Sequence, residues 1–232
     1  MIDNIKKEVY KLLGKDESGH SNDHIDRVVE LALKFAKEEQ ANELVVMLIA
    51  LLHDVDDYKL VSPQEAENLT NTKRILSQCP IDDTTRQHVL SEITRIGYSN
   101  SLRGIRPLTI EGQIVSDADM CDASGINGFM RSYKYTTKHG GVLFDRKVFP
   151  ILNMTQEEYK SSNSYSVVNH MFEKILLLKS LMLTKSGQKE AIDRHNAIIN
   201  ILYQLFKEEN APEWKVYLDN YLKQIQEAQK KS

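Results

Sequence analysis

Residues 44–54 read LVVMLIALLHD. The run Leu44–Leu52 leaves no polar face, so a helix there has to lie at the centre of a fold with apolar neighbours all round. It is far too short for a membrane span, which needs roughly 18 residues. Upstream, Ile25, Val28, Val29, Ala32, Phe35 and Ala36 recur at helical spacing, with Ser21 in position to cap them. Downstream, Ser62-Pro63 has the form of an N-cap followed by proline in the first turn, opening a helix towards Leu76. Pro80-Ile81-Asp82-Asp83 is a turn and cap leading into a helix through Ile96. Gly97–Pro107 is rich in turn formers, and Thr109–Ser124 is helical with Gly125 as a left-handed C-cap. Residues 126–165 are the least regular, with short strands expected around Gly140–Asp145. Helices return over Val167–Thr184, Gln188–Glu209 and Pro212 to Ala228, the last anchored by Trp214. No alternating pattern of useful length appears, and the expected fold is all-α.

A chain of 232 residues suits one large domain, with a core at about 20–125 and a C-terminal helical part at about 126–232. The net charge of −3 gives no general attraction to nucleic acid or to an anionic membrane. Two cysteines, Cys79 and Cys121, argue against a disulfide framework and fit a reducing cytoplasm. The first residues, MIDNIKKEVYKLLGKD, have no apolar core of a signal peptide. A cytoplasmic protein that spans no membrane is therefore expected.

His53-Asp54 follows the apolar run directly. Taken alone, the pair reads better as a core histidine with a loop acid. Burying charge beside such a helix is expensive, however, unless it is paired or bound to metal. His24, near the start of the upstream helix, and the acid-rich stretch Asp117-Ala118-Asp119-Met120-Cys121-Asp122 supply the remaining parts of a metal site. Two imidazoles and carboxylates suit Mn²⁺, Fe²⁺, Zn²⁺ or Mg²⁺ with positions left for water. On a helix Asp119 and Asp122 share a face and Asp117 points elsewhere. A plain surface acid cluster fits that stretch equally well when it is read alone.

In this order the segments resemble the HD-domain metal-dependent phosphohydrolases, whose signature is His … His-Asp … Asp. The match is carried by His24-Ile-Asp-Arg27-Val, Leu51-Leu-His53-Asp54 and Ser116-Asp-Ala-Asp119. It extends to a bacterial subgroup related to the YedJ and YpgQ proteins, through GHSNDHIDRV at 19–28, ALLHDVDDYK at 50–59, IVSDADMCDASG at 114–125 and NHMFEKILLLKSLMLTKSG at 169–187, followed by RHN at 194–196. The resemblance implies an HD helical fold with additional C-terminal helices. It implies His24, His53, Asp54 and one acid of the 117–119 pair as ligands, with the Ala-Asp pattern picking Asp119. It implies one divalent ion, Mn²⁺ first, with Mg²⁺, Fe²⁺ and Zn²⁺ as alternatives. The expected reaction is hydrolysis of (deoxy)nucleoside triphosphates to monophosphate and pyrophosphate.

In such a site the ion lowers the pKa of a bound water. Asp57, three residues after the doublet aspartate, would orient that water or accept its proton, with Asp54 serving both ligation and catalysis. Arg27, Lys59, Lys174, Lys179 and Arg194 are the cations expected to bind phosphate, and His20 faces the same cleft if the helix starts early. Rival readings are a 5′-nucleotidase or phosphodiesterase on the same site, and a nucleotide-sensing domain without turnover. The partner is a small nucleotide rather than nucleic acid, and a homodimer stays open.

Overall fold

The computed structural model describes residues 1–14, 22–58, 60–161 and 165–231. The fold is all-α: among the described residues no strand forms, and the strands expected near Gly140 reduce to a parallel bridge between Val142 and Ser166. No described helix is long and apolar enough to cross a membrane. The chain divides into two compact units, Met1–Asp122 with Leu183–Gly187, and Ala123–Met182 with Gln188–Ser232.

The first unit holds α1 (Ile2–Leu13), α2 (Asn22–Glu39), α3 (Glu43–Leu52), α4 (Pro63–Asn68), α5 (Thr70–Ser77), α6 (Asp83–Ile93), α7 (Tyr98–Ser101) and α8 (Ile110–Asp122). The apolar run forms α3, which packs against α1, α2, α6 and α8. Val45, Val46 and residues 48–52 are buried, as an all-round apolar helix requires. Leu44 stays 41% exposed at the start. There the Asn42 side chain accepts from the Leu44 and Val45 amides at 3.1 and 3.3 Å. Helix α2 buries Ile25, Val28, Ala32, Phe35 and Ala36 and lies against both α3 and α8. The three helices that carry the His24, His53 and Asp119 segments are thus mutual neighbours. Ser21, the expected cap of α2, lies outside the described residues.

The helix expected from Ser62 towards Leu76 is two helices. Ser62 and Glu65 form a capping box that starts α4. The chain then turns at Leu69, which is left-handed at φ +49°. Asp56 accounts for the new start. Its buried carboxylate accepts from the Asn71 and Thr72 amides at 3.0 and 2.8 Å and from Asn71 Nδ2 at 2.9 Å. It satisfies amides in the first turn of α5, which have no partner within their own helix. The same contact ties the segment after His53-Asp54 to α5.

The second unit contains α9 (Gly125–Lys138), α10 (Gln156–Ser161), α11 (Val167–Glu173), a 3₁₀ helix (Ile175–Leu181), most of α12 (Lys185–Glu208) and α13 (Pro212–Lys231). The segment read as least regular therefore begins with a helix, and Tyr133 and Tyr135 lie on it rather than in a loop. Gly125, at φ +69°, ends the preceding turn as expected but also opens α9. The helix expected over Val167–Thr184 breaks at Lys174, whose φ and ψ are −140° and −59°. Four apolar residues follow, and the tighter 3₁₀ turn places Ile175 and Leu178 on one buried face. Trp214 is fully buried among Phe144, Phe149, Phe172, Phe206 and Tyr217, and its indole N–H donates to the Arg146 carbonyl at 3.2 Å. It is the anchor of α13 that its sequence position suggested.

Residues Leu183–Gly187 belong to the first unit because two acids hold them there. Asp117 accepts from the Leu183 amide at 3.0 Å and from the Thr184 amide and hydroxyl at 2.8 Å each. Glu39 accepts from the Ser186 amide at 2.7 Å and its hydroxyl at 2.8 Å. Both acids sit where the unpaired amides and positive dipole end of α12 favour negative charge. Gly187 makes room, since a Cβ there would lie 2.3 Å from Asp117 Oδ2. Gly187→Ala at an open helical site would stabilise by up to ~1 kcal/mol. Here the clash with a fixed carboxylate should cost ~2 kcal/mol and lower Tm by about 4–8 °C in a thermal melt. A melting temperature at or above that of the parent protein would contradict this packing.

Candidate metal centre

Four side chains from three helices meet inside the first unit. His24 comes from the first turn of α2, His53 caps the C-terminus of α3, Asp54 follows it in the turn, and Asp119 projects from α8. His24 Nε2 lies 3.3 Å from Asp54 Oδ2 and 3.6 Å from Asp119 Oδ1. His53 Nε2 lies 3.4 Å and 4.0 Å from the same two oxygens. The two rings meet edge to face with centroids 5.5 Å apart. Each imidazole side chain is 1% exposed, against 12% for Asp54 and 23% for Asp119. The cluster is therefore buried on its histidine side and opens on its carboxylate side.

Hydrogen bonds fix which ring nitrogen faces the centre. His53 Nδ1 lies 2.8 Å from the Ala50 carbonyl, which can only accept, so Nδ1 carries the proton. His53 Nε2 is buried and has no hydrogen-bond partner among the described residues. In the neutral ring its lone pair faces two carboxylates. Such a convergence of electron pairs calls for a cation at its centre. The donor atoms of His24, His53 and Asp119 all lie within 4.8 Å of one another. Ligand bonds of about 2.0–2.3 Å put neighbouring donors roughly 3–4 Å apart, so the residues present fit one divalent ion.

The three aspartates of α8 do different things. Asp119 joins the two histidines. Asp117 is fully buried and turned to Leu183 and Thr184, and burial pushes its carboxyl above the usual range despite those hydrogen bonds and the nearby Arg106 charge. Asp122 accepts from His24 Nδ1 at 2.7 Å and from Arg27 Nε and Nη2 at 2.6 and 3.0 Å. That bond holds the Arg27 guanidinium above its ordinary pKa. Arg27, expected among the phosphate-binding cations, thus has two of its donors committed to Asp122. The pairing of His24 with Asp122 was not read from the sequence. Its signal was the shared face of Asp119 and Asp122, with His24 and Arg27 one turn apart on α2.

Asp57 is half-buried just beyond the doublet, its amide donating to the Asp54 carbonyl at 3.1 Å. Lys174, Lys179 and Arg194 belong to the second unit. There Lys174 Nζ lies 5.6 Å above the Tyr159 ring, and Arg194 Nε is 3.0 Å from Glu190. Lys179 lines a small cavity with Leu176, His195, Leu222, Ile225 and Gln226. Burial there, helped by the Lys179 charge, pushes the His195 imidazole down to about 4. His20 and Lys59 lie outside the described residues.

A helical core presenting His, His-Asp and Asp from separate helices defines a class. Residues 22–124 match the HD domain family, and a solved HD-superfamily hydrolase from Bacillus thuringiensis is 30% identical, with TM-score 0.70 over 90% of this chain and 97% of that one. The chain belongs to the HD superfamily of metal-dependent phosphohydrolases. Among its relatives is YpgQ of Bacillus subtilis, 28% identical over 205 residues that make up 88% of this chain and 91% of YpgQ. The structure of YpgQ in complex with ADP is similar with TM-score 0.65 at 26% identity, over 90% of this chain and 97% of YpgQ. A structure from Lactobacillus plantarum, 30% identical, reaches TM-score 0.80 over 90% of this chain and 97% of its own.

The division of labour on α8 can be tested by calorimetric titration with Mn²⁺. Asp119→Asn should weaken binding by at least roughly 10–100-fold, the loss typical even of residues that only support ligands. Asp117→Asn should instead lower Tm and leave affinity within about threefold, because its carboxylate faces a backbone strap. The reverse pattern would exchange the two assignments.

Proposed function

We propose that this protein is a metal-dependent hydrolase of nucleoside triphosphates, deoxynucleotides included, releasing a nucleoside monophosphate and pyrophosphate. The observation that carries the reading is the convergence of His24, His53, Asp54 and Asp119 on one point open to solvent on its carboxylate side. These four residues would hold one divalent ion, Mn²⁺ first. Such an ion, when bound, supplies a water of lowered pKa and charge to offset that of the phosphates. Nucleotide as the substrate class is supported by the likeness to YpgQ, which has been solved with ADP.

The chain's own groups divide the remaining work. His24 and His53 present neutral nitrogens, so the negative charge of the site comes from Asp54 and Asp119. Asp57, in the turn that begins at His53, is the group proposed to orient the attacking water or accept its proton. Lys59 and His20, which belong to the same stretch of sequence as the ligands, are the groups proposed to neutralise the departing pyrophosphate. The two buried cysteines suit the reducing cytoplasm in which such a nucleotide pool is met.

The test is a panel of ribo- and deoxyribonucleoside triphosphates with Mn²⁺ in heavy-oxygen water, with products separated by chromatography. Attack at the α-phosphorus puts the label in the monophosphate and releases pyrophosphate. Label in orthophosphate with a diphosphate as co-product would replace this reading with a terminal phosphatase. Binding without turnover across the panel would replace it with a nucleotide sensor.

A further inference from the structure

We propose that Asp122, locked in place by Arg27, is the positioning residue that makes His24 a metal ligand and sets the affinity of the centre. The inference rests on the metal-centre reading above and assigns a role to two residues that this reading leaves without one.

The argument starts from what an ionised carboxylate can do. Asp122 is 1% exposed, and both of its oxygens are used. Oδ1 accepts from Arg27 Nε at 2.6 Å, while Oδ2 accepts from Arg27 Nη2 at 3.0 Å and lies 2.7 Å from His24 Nδ1. The guanidinium fork keeps the buried carboxylate charged and fixes its plane. A carboxylate in that state only accepts, so His24 Nδ1 has to carry the proton. In the neutral ring, the form that can take a cation, Nε2 is then the lone-pair nitrogen, and it is the atom 3.3 Å from Asp54 and 3.6 Å from Asp119. The opposite tautomer would set a lone pair against a full negative charge at 2.7 Å and turn an N–H towards the centre.

The two histidines are held by unequal means. His53 Nδ1 is anchored on a neutral backbone carbonyl, whereas His24 Nδ1 is anchored on a charged carboxylate. A ring donating to a carboxylate is the more basic ligand. His24 is accordingly the stronger of the two donors, and its strength depends on a side chain that can be changed. The register of two helices produces the arrangement. His24 and Arg27 are one turn apart on α2, Asp119 and Asp122 are one turn apart on α8, and the helices pack together. One face of α8 thereby supplies both a ligand and the support for the facing ligand.

Arg27 separates this role from that of a phosphate-binding cation. Its side chain is 35% exposed, so an anion could reach it. A cation that only grips phosphate affects nucleotide binding and leaves metal affinity alone. An arginine that holds Asp122 affects metal affinity with no nucleotide present.

The experiment uses the full-length protein labelled with ¹⁵N in histidine, freed of metal and held at a pH where its imidazole rings are neutral. Nitrogen chemical shifts should report His24 as the Nδ1–H tautomer, with His53 in the same form as an internal reference. In Asp122→Asn, where an amide N–H can face Nδ1, the His24 proton should move to Nε2 while His53 is unchanged. Mn²⁺ affinity, measured by calorimetry without nucleotide, should fall roughly 10–100-fold. Asp122→Glu should recover part of that loss. Arg27→Gln should weaken Mn²⁺ binding in the same direction, and with the parent tautomer it carries the test if Asp122→Asn fails to fold. His24 protonated on Nε2 in the parent protein would overturn the assignment. So would Mn²⁺ affinity within about twofold of the parent in both Asp122→Asn and Arg27→Gln, well below the usual loss. A parent protein that takes up no divalent ion would overturn the metal-centre reading itself, an outcome distinct from an ion retained by the variants.

Discussion

Two imidazole nitrogens and two carboxylates aimed at one point in a helical core are a liability unless positive charge sits among them. Helix α3 is apolar on every side, so water cannot spread that charge from behind. The histidines are buried on this side, and the carboxylates meet solvent on the other. One divalent cation with an open outer face resolves both conditions. The remainder of the first unit can be read as what is needed to hold these four groups together until it arrives.

Helix α8 carries most of that requirement. At about 100° per residue, Asp119 and Asp122 leave the helix roughly 60° apart on one face, while Asp117 points away from both. Asp117 fastens the Leu183–Gly187 strap, Asp119 faces the histidines, and Asp122 braces His24 through Oδ2 while Arg27 holds both of its oxygens. A helix fixed at its strap and braced against α2 cannot rotate to relieve repulsion among its carboxylates. On the α3 side, Asp56 plays the matching part by tying the turn after His53-Asp54 to the start of α5. Acids that never touch the centre thus fix where it is.

Much of this was legible in the chain because it depends on local pattern. The all-round apolar run at 44–52 fixes a buried helix, and the periodic residues of α2 fix a face. His24 and His53-Asp54 stand out through the cost of burying charge, and the resemblance to the HD signature, through its Ala-Asp pattern, picks Asp119. The parts that were not legible depend on partners distant in sequence. Asp117 meets Leu183 and Thr184, and Arg27 meets Asp122. No spacing rule reaches that far, and an arginine beside a site expected to take an anionic substrate reads naturally as a phosphate ligand. The break at Leu69 needed Asp56 as a competing cap, and the break at Lys174 needed the packing of the second unit. Helix α9 was hidden by Gly125 and Gly128. Gly128 is required by contact, since a Cβ there would lie 2.1 Å from the Ala123 carbonyl oxygen.

The most direct measurement is anomalous diffraction from crystals of the unmodified protein grown with Mn²⁺, with data collected on both sides of the manganese edge. The account predicts one peak in the first unit, about 2.0–2.3 Å from His24 Nε2, His53 Nε2 and a carboxylate oxygen of each of Asp54 and Asp119. A map with no peak among these four residues, and His53 Nε2 bonded instead to Asp54 as an imidazolium, would contradict it.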